Sequence, residues 1–319
     1  MTVIGYHASH EQLPPRDLLS AVRLAESVGF DAAMCSDHLS PWTPAQGQSG
    51  FAWTWLGAAL ASTQFPVGVV TAPGQRYHPV ILAQAIATVE QMFPGRFWAA
   101  LGSGEAINEH VTGTGWPEKS DRERRLRECV DVTRRLLDGE TVTLDGTVLV
   151  DDARVWSRPE SPPPLFGAAV SAKTAHWVAE WADGLITVGS DPSATGASLS
   201  SFRMAGGRGD AILQIHVSLA DTDDAALQIA REQWAHSTAP AELMWDIEQP
   251  EEFAALEDPT EAKLNEAVII AASAEVMAER IASAARGFDQ VYIHHVGLDQ
   301  ALFLRRCEEQ LLPALRRLM

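Results

Sequence analysis

The sequence predicts a (β/α)8 barrel with insertions, and three observations carry that prediction. Eight short apolar runs of β character alternate with helical patterns along 319 residues, the alternation of a parallel α/β fold. The first run leads into Gly5-Tyr6-His7-Ala8-Ser9, which lacks the glycine-rich fingerprint that opens a doubly wound sheet. The second run stops at Asp37-His38, with Trp42 four residues after the histidine. An acid and an imidazole at the C-terminal tip of a buried strand stand where α/β active sites form.

The elements follow in order. Residues 3–6 read as the first strand, and Leu18, Val22, Ala25 and Val28 give a helical stripe closed by Gly29. Residues 30–35 are the second strand. Residues 51–61 form a Trp-rich buried helix, and 67–72 a third strand. A helix opens at Pro79, with proline at its first position and Leu82, Ile86, Val89 and Phe93 on one face. Residues 97–102 are a fourth strand, and Leu126, Val130, Thr133 and Leu137 mark a long helix. Residues 140–155 alternate like a hairpin around Asp145-Gly146. Residues 165–169, 184–188 and 211–219 supply three more strands, 291–295 the last, and 302–318 a closing helix. Residues 236–259 are irregular and acidic and are expected to cap the structure. A single domain over residues 1–319 is expected, with insertions near 139–160 and 236–265.

A net charge of −18 argues against nucleic acid and anionic membrane as partners. Three cysteines without CxxC spacing offer neither a disulfide framework nor a zinc site, and fit a reducing cytosol. The first residues lack a basic region and a long apolar segment, so no signal peptide is expected. No apolar run reaches membrane-spanning length.

In a barrel the strand tips converge on one mouth. They would deliver His7, His10 and Glu11, then Asp37, His38 and Trp42, then Thr71, Arg76, Tyr77 and His78. Ser103, Gly104, Glu105, Asn108, Glu109 and His110 follow, and finally His294 and His295. Convergent carboxylates and imidazoles suit acid–base catalysis. His38 is the leading candidate base, although a structural Asp37–His38 pair would look the same in sequence. Glu105 follows Gly102-Ser103-Gly104, where small residues admit a ligand. Glu109 and His110, a helical turn further on, are expected to be solvated or to stand behind the site. Histidine spacing matches no familiar zinc motif, so no metal is assigned. Ala169, Val170, Ser171 and Thr174 join a strand to a helix and could cradle a phosphate, or Ser171 could be a plain N-cap.

Taken together, Ser36-Asp37-His38 with Pro41-Trp42, Arg76-Tyr77-His78-Pro79, Ala83-Gln84-Ala85, Pro94-Gly95-Arg96-Phe97, the run from Gly102 to Glu109, and Ala182-Asp183-Gly184 resemble the luciferase-like flavin and deazaflavin oxidoreductases. The likeness extends from Ile4 to the C-terminal helix, and is strongest to the branch that contains deazaflavin-dependent glucose-6-phosphate dehydrogenase. The resemblance implies a cofactor contact at Asp37 and an active-site base at His38. It implies Trp42 at the reacting centre, Glu105 as the acid near the cofactor ring and Glu11 as a second acid. Ser103, Gly104 and Asn108 would line the cofactor. Val69-Val70 falls where the family often has a non-proline cis peptide, a bulge backing the ring. Asp191, Ala267 and the neighbourhood of Glu242 stand where a sugar phosphate would need cations, so glucose 6-phosphate is not the expected substrate. Side chains at Ala169-Val170, with the hydroxyls of Ser171 and Thr174, favour FMN over coenzyme F420 by a narrow margin. The expected protein is then a cytosolic, dimeric, FMN-binding oxidoreductase for a small organic molecule, working by hydride transfer or monooxygenation, with a flavin reductase as partner in the latter case; the alternative is an F420-dependent dehydrogenase or reductase of an alcohol or sugar other than glucose 6-phosphate. A non-catalytic flavin carrier and a metal-dependent hydrolase on the same barrel are the readings of other classes.

Overall fold

The computed structural model describes residues 2–319, the side chains of residues 241 and 242 excepted. Strands β1 (Val3–Ala8), β2 (Ala32–Ser36), β3 (Val67–Thr71) and β4 (Phe97–Leu101) come first. A separate antiparallel hairpin follows, β5 (Val142–Asp145) with β6 (Leu149–Ala153). Next come β7 (Leu165–Ala168), β8 (Leu185–Val188), β9 (Ala211–Leu219), β10 (Ile269–Ala271) and β11 (Gln290–His295). The parallel order β1-β2-β3-β4-β7-β8-β9-β11 returns to β1 and closes an eight-stranded barrel. The eight barrel strands are those expected from the sequence, shifted by a residue or two at their ends. β10 was not foreseen: β9 outruns β8 beyond Gln214, and its free edge at Val217–Leu219 takes up β10.

Helices α1 (Pro15–Ser27), α2 (Ala52–Ser62), α3 (Pro79–Met92), α4 (Ala106–Glu109), α5 (Lys119–Leu137), α6 (Ala172–Val178) and α7 (Pro192–Met204) fill the connections of the first half of the barrel and beyond. α8 (Asp223–Trp234), α9 (Ala241–Met244), α10 (Pro250–Ala254), α11 (Glu261–Ala267), α12 (Ala274–Ala284), α13 (Gln300–Arg306) and α14 (Leu312–Leu318) complete the chain. The stretch after residue 236 is thus short helical turns instead of irregular chain. A π turn at Cys307–Leu311 joins α13 to α14 just ahead of Pro313, which cannot donate the usual helical hydrogen bond. Among the described residues no helix is long and apolar enough to cross a membrane.

Period-two alternation divides each strand between two cores. Outward residues such as Ile4, Cys35, Val69, Leu101 and Ile293 pack against the helices. Inward residues Met34, Trp98, Phe166, Ile186, Ile212 and Tyr292 fill the barrel. Trp98 meets Phe166 and Tyr292 edge-on at 5.4 and 5.7 Å between centroids, and its Nε1 donates to the Tyr292 hydroxyl at 3.3 Å. These rings plug the N-terminal end. Gly68 makes room for them, because a Cβ there would overlap the Trp98 indole.

Carboxylates finish the same end. Asp31 accepts from the Ile4 amide at 2.9 Å, Asp183 from Leu165 at 2.8 Å and Asp289 from Ala211 at 2.8 Å. Each aspartate stands one or two residues before a strand and satisfies an amide at the start of the neighbouring strand.

Candidate active site

His38 sits just past β2 with a carboxylate on either side. Glu11 Oε1 lies 3.1 Å from its Nδ1 and Glu105 Oε2 lies 3.4 Å from its Nε2. The first contact is an ion-pair distance without hydrogen-bond alignment. Glu11, past the end of β1, is buried and receives the hydroxyls of Ser9 at 2.6 Å and Ser36 at 2.9 Å on Oε2. Burial pushes the Glu11 carboxyl up, but His38, the Ser9 hydroxyl and His7 outweigh it and bring it down to about 2. It is therefore a fixed anion at neutral pH. Gly102, Ser103, Gly104 and Glu105, after β4, stay partly exposed at the mouth. Gly104 has φ +83°, and a Cβ there would stand 2.9 Å from Glu109 Cγ, so this turn requires glycine.

Asn108 joins the acid to the base. Its Nδ2 donates to Glu105 Oε2 at 2.8 Å, and its Oδ1 accepts from the amides of Leu39 at 2.8 Å and Ser40 at 3.2 Å. It is buried, so it positions the site from behind instead of lining it. Asp37 is likewise buried, on the helix-facing side of β2 and β3. It accepts the Thr71 hydroxyl at 2.7 Å and the Tyr77 hydroxyl at 2.9 Å, with Arg76 Nη1 at 3.4 Å. Arg76 also donates through its own amide to Glu109 at 2.7 Å. Glu109 is therefore a buried partner in this knot, not a solvated acid.

Trp42 forms a wall beside the base. Its ring meets His38 edge-on at 5.1 Å, stacks on His236 at 5.4 Å and 13°, and meets Phe253 edge-on at 5.4 Å. Gln46 Oε1 accepts from the Trp42 amide at 2.9 Å, while Gln46 Nε2 donates to the Gln233 carbonyl at 3.1 Å. Trp234 continues the wall, 4.7 Å from His236 and 4.6 Å from His294. His236, Trp234, Phe253 and Gln46 escaped the sequence reading. His216 also escaped it, although alternation with Ile212 was a usable signal.

Other expectations change place. The Val69–Val70 peptide is trans, since there is no cis bond among the described residues, and both residues keep regular register with β2 and β4. Val69 faces the helices, whereas Val70 faces the barrel interior. Ala169 also packs outward, and Val170 is 51% exposed beside it. The Ser171 hydroxyl accepts the Thr174 amide at 3.2 Å and donates to the Thr174 hydroxyl at 3.0 Å, which makes it the N-cap of α6. His10 packs edge-on against Trp55, and His295 stacks on Phe303 at 4.4 Å, both away from the mouth. His78 bonds the Leu149 carbonyl of the hairpin at 2.8 Å. Asp191 caps α7 through the Ser193 amide, Ala267 packs beside Trp234, and Glu242 lies outside the described side chains.

The mouth is consequently asymmetric. Partly exposed small residues, Val70, Gly102, Ala168 and Val188, pave one side. The partly exposed His216 ring, backed by the buried rings of His7, His294 and Trp234, forms the other. The smooth side suits a flat ring system, with Glu105 at its edge.

The luciferase-like monooxygenase model matches residues 1–290. The F420-dependent glucose-6-phosphate dehydrogenases of Beutenbergia cavernae and Microbacterium testaceum are 37% and 36% identical, covering 99% and 98% of this chain and 98% and 97% of their own. An F420-dependent secondary alcohol dehydrogenase, solved with an F420–acetone adduct, superposes with TM-score 0.90 at 31% identity over 99% of each chain. The F420-dependent tetrahydromethanopterin reductase of Methanopyrus kandleri shares the fold at TM-score 0.75 and 18% identity, over 98% of this chain and 99% of its own. The chain belongs to the luciferase-like monooxygenase family. It is an oxidoreductase that depends on F420 or a flavin.

Proposed function

We propose that the protein is a coenzyme F420-dependent dehydrogenase of neutral alcohols. The observation that carries this is His38 held between Glu11 and Glu105 against the Trp42 wall. Arg76, the cation behind the mouth, is already engaged by Asp37 and Glu109. A phosphate dianion would meet acids there, which disfavours a sugar phosphate. The names of the similar proteins weigh toward F420 over FMN.

The cofactor, when bound, supplies the two-electron hydride acceptor. The chain's residues handle the proton. His38 Nε2 receives the proton of the substrate hydroxyl as the carbinol C–H bond breaks and the carbonyl forms. Glu11, a permanent anion, holds the imidazole at Nδ1. Glu105, partly exposed, stands beside Nε2 at the edge of the ring site, in reach of the proton that His38 receives. Trp42 and Phe253 exclude water from the reacting face.

The test is F420 and FMN titration followed by anaerobic F420-linked oxidation of secondary alcohols. Binding of F420 with turnover is expected, and His38→Ala should lower kcat by about 10²–10⁴. FMN binding with oxygen-dependent chemistry, or unchanged kinetics in His38→Ala, would overturn the assignment.

A further inference from the structure

The ring-lined half of the mouth holds a hydrogen-bond chain whose proton positions are fixed. Gln12 Nε2 donates to the Val296 carbonyl at 2.6 Å, so the Gln12 amide can turn only its oxygen toward His294. That oxygen is 2.7 Å from His294 Nε2, which must therefore carry the proton. His294 is 1% exposed, and burial keeps it neutral by pushing its pKa well below 6.5. Its Nδ1 is then a lone pair, 2.9 Å from His216 Nδ1. His216 Nδ1 must donate, which leaves His216 Nε2 as a bare acceptor.

That acceptor opens on the mouth. His216 pairs in register with His294, and its side chain shares the inward face of β9 with Ile212. Unlike His294 and His7, its ring stays partly exposed, and an inward side chain at this level meets space only at the mouth. Trp234 packs at 4.8 Å and holds the ring in place. A continuous wall of rings, Trp42, His236 and Trp234, leads from His38 to His216. Among the described residues no group of His, Cys, Asp or Glu has the arrangement of a metal site.

We propose that His216 is a specificity-determining residue, whose unprotonated Nε2 accepts a hydrogen bond from a second, neutral hydroxyl of the substrate. The substrate class is then a diol or polyol, with one carbinol at His38 and another hydroxyl further along the ring wall. This rests on the dehydrogenase reading above and narrows it. An acceptor fixed by a buried chain rewards a hydroxyl donor and repels a carboxylate or phosphate oxygen.

The test pairs each secondary alcohol of four or five carbons with the same alcohol carrying a terminal hydroxyl. In the wild type, kcat/KM should favour the diol about tenfold or more, the value of one hydrogen bond. His216→Phe should cut kcat/KM for the diol about tenfold more than for the mono-alcohol, and His216→Gln, which keeps an acceptor, should restore part of the preference. Equal losses on both substrates would overturn the proposal. In parallel, nitrogen NMR of histidine-labelled protein should show His216 protonated at Nδ1 only, with its Nε2 resonance moving on titration with the diol and not with the mono-alcohol. An unmoved or protonated Nε2 would also overturn it. If no alcohol is oxidised, the dehydrogenase reading fails, and the NMR titration still decides whether His216 receives a hydroxyl.

Discussion

Lowering the pH from 7.5 to 5.5 should destabilise this protein severely, because its histidines are stored neutral. His7, His10, His236, His294 and His295 are each at most 5% exposed. Burial pushes His7, His10 and His295 down from 6.5 to about 4, His236 to about 3, and His294 well below 6.5. In the unfolded chain each takes up a proton as pH falls through 6.5, whereas in the folded chain burial keeps it neutral well below that. The stability these groups contribute is complete above 6.5 and is lost on acidification toward 4. At pH 5.5 each neutral imidazole costs about 1.4 kcal/mol. Five together cost about 7 kcal/mol, against a total stability of about 5–15 kcal/mol. Glu11, held near 2, adds its own loss only below about 4.5. Urea unfolding at a series of pH values measures this directly. These five should contribute about 6 kcal/mol per pH unit to the slope of unfolding free energy near pH 5.5. His10 is the cleanest member, since neither ring nitrogen has a partner. His10→Leu should remove about one fifth of that slope. A flat profile between pH 7.5 and 5.5, or an unchanged slope in His10→Leu, would refute the reasoning.

Two further perturbations probe the scaffold. Asn108→Ala frees Glu105 and the Leu39 and Ser40 amides, and should lower kcat/KM about tenfold to a hundredfold while costing about 1–3 kcal/mol; steady-state kinetics together with a melting curve check both. Gly68→Ala drives a methyl group into the Trp98 indole and should cost about 1–3 kcal/mol, seen as a lowered Tm with a shifted tryptophan emission.

Much of the barrel was legible because strand and helix periodicities are local. The pair of cores, too, follows from alternation: Ile212 faces in, and two steps of two place His216 inward as well. Glu11, His38, Trp42 and Glu105 were legible as residues at or near strand tips, and the structure gathers them. What sequence could not reveal is which polar side chains are used up. Asp37 spends its carboxylate on Thr71, Tyr77 and Arg76, partners 34 to 40 residues away. His10 follows β1 and His295 ends β11, strands that reach the mouth, but their rings turn toward Trp55 and Phe303. The ring wall draws on Trp234, His236 and Phe253, whose approach to Trp42 depends on how the chain between α8 and α11 folds back.

The aromatic plug of Trp98, Phe166 and Tyr292 has a kinetic consequence. It makes the barrel a cup instead of a tube. Any ligand of the mouth therefore enters and leaves on the His38 side, and none can approach from the end that these three rings close.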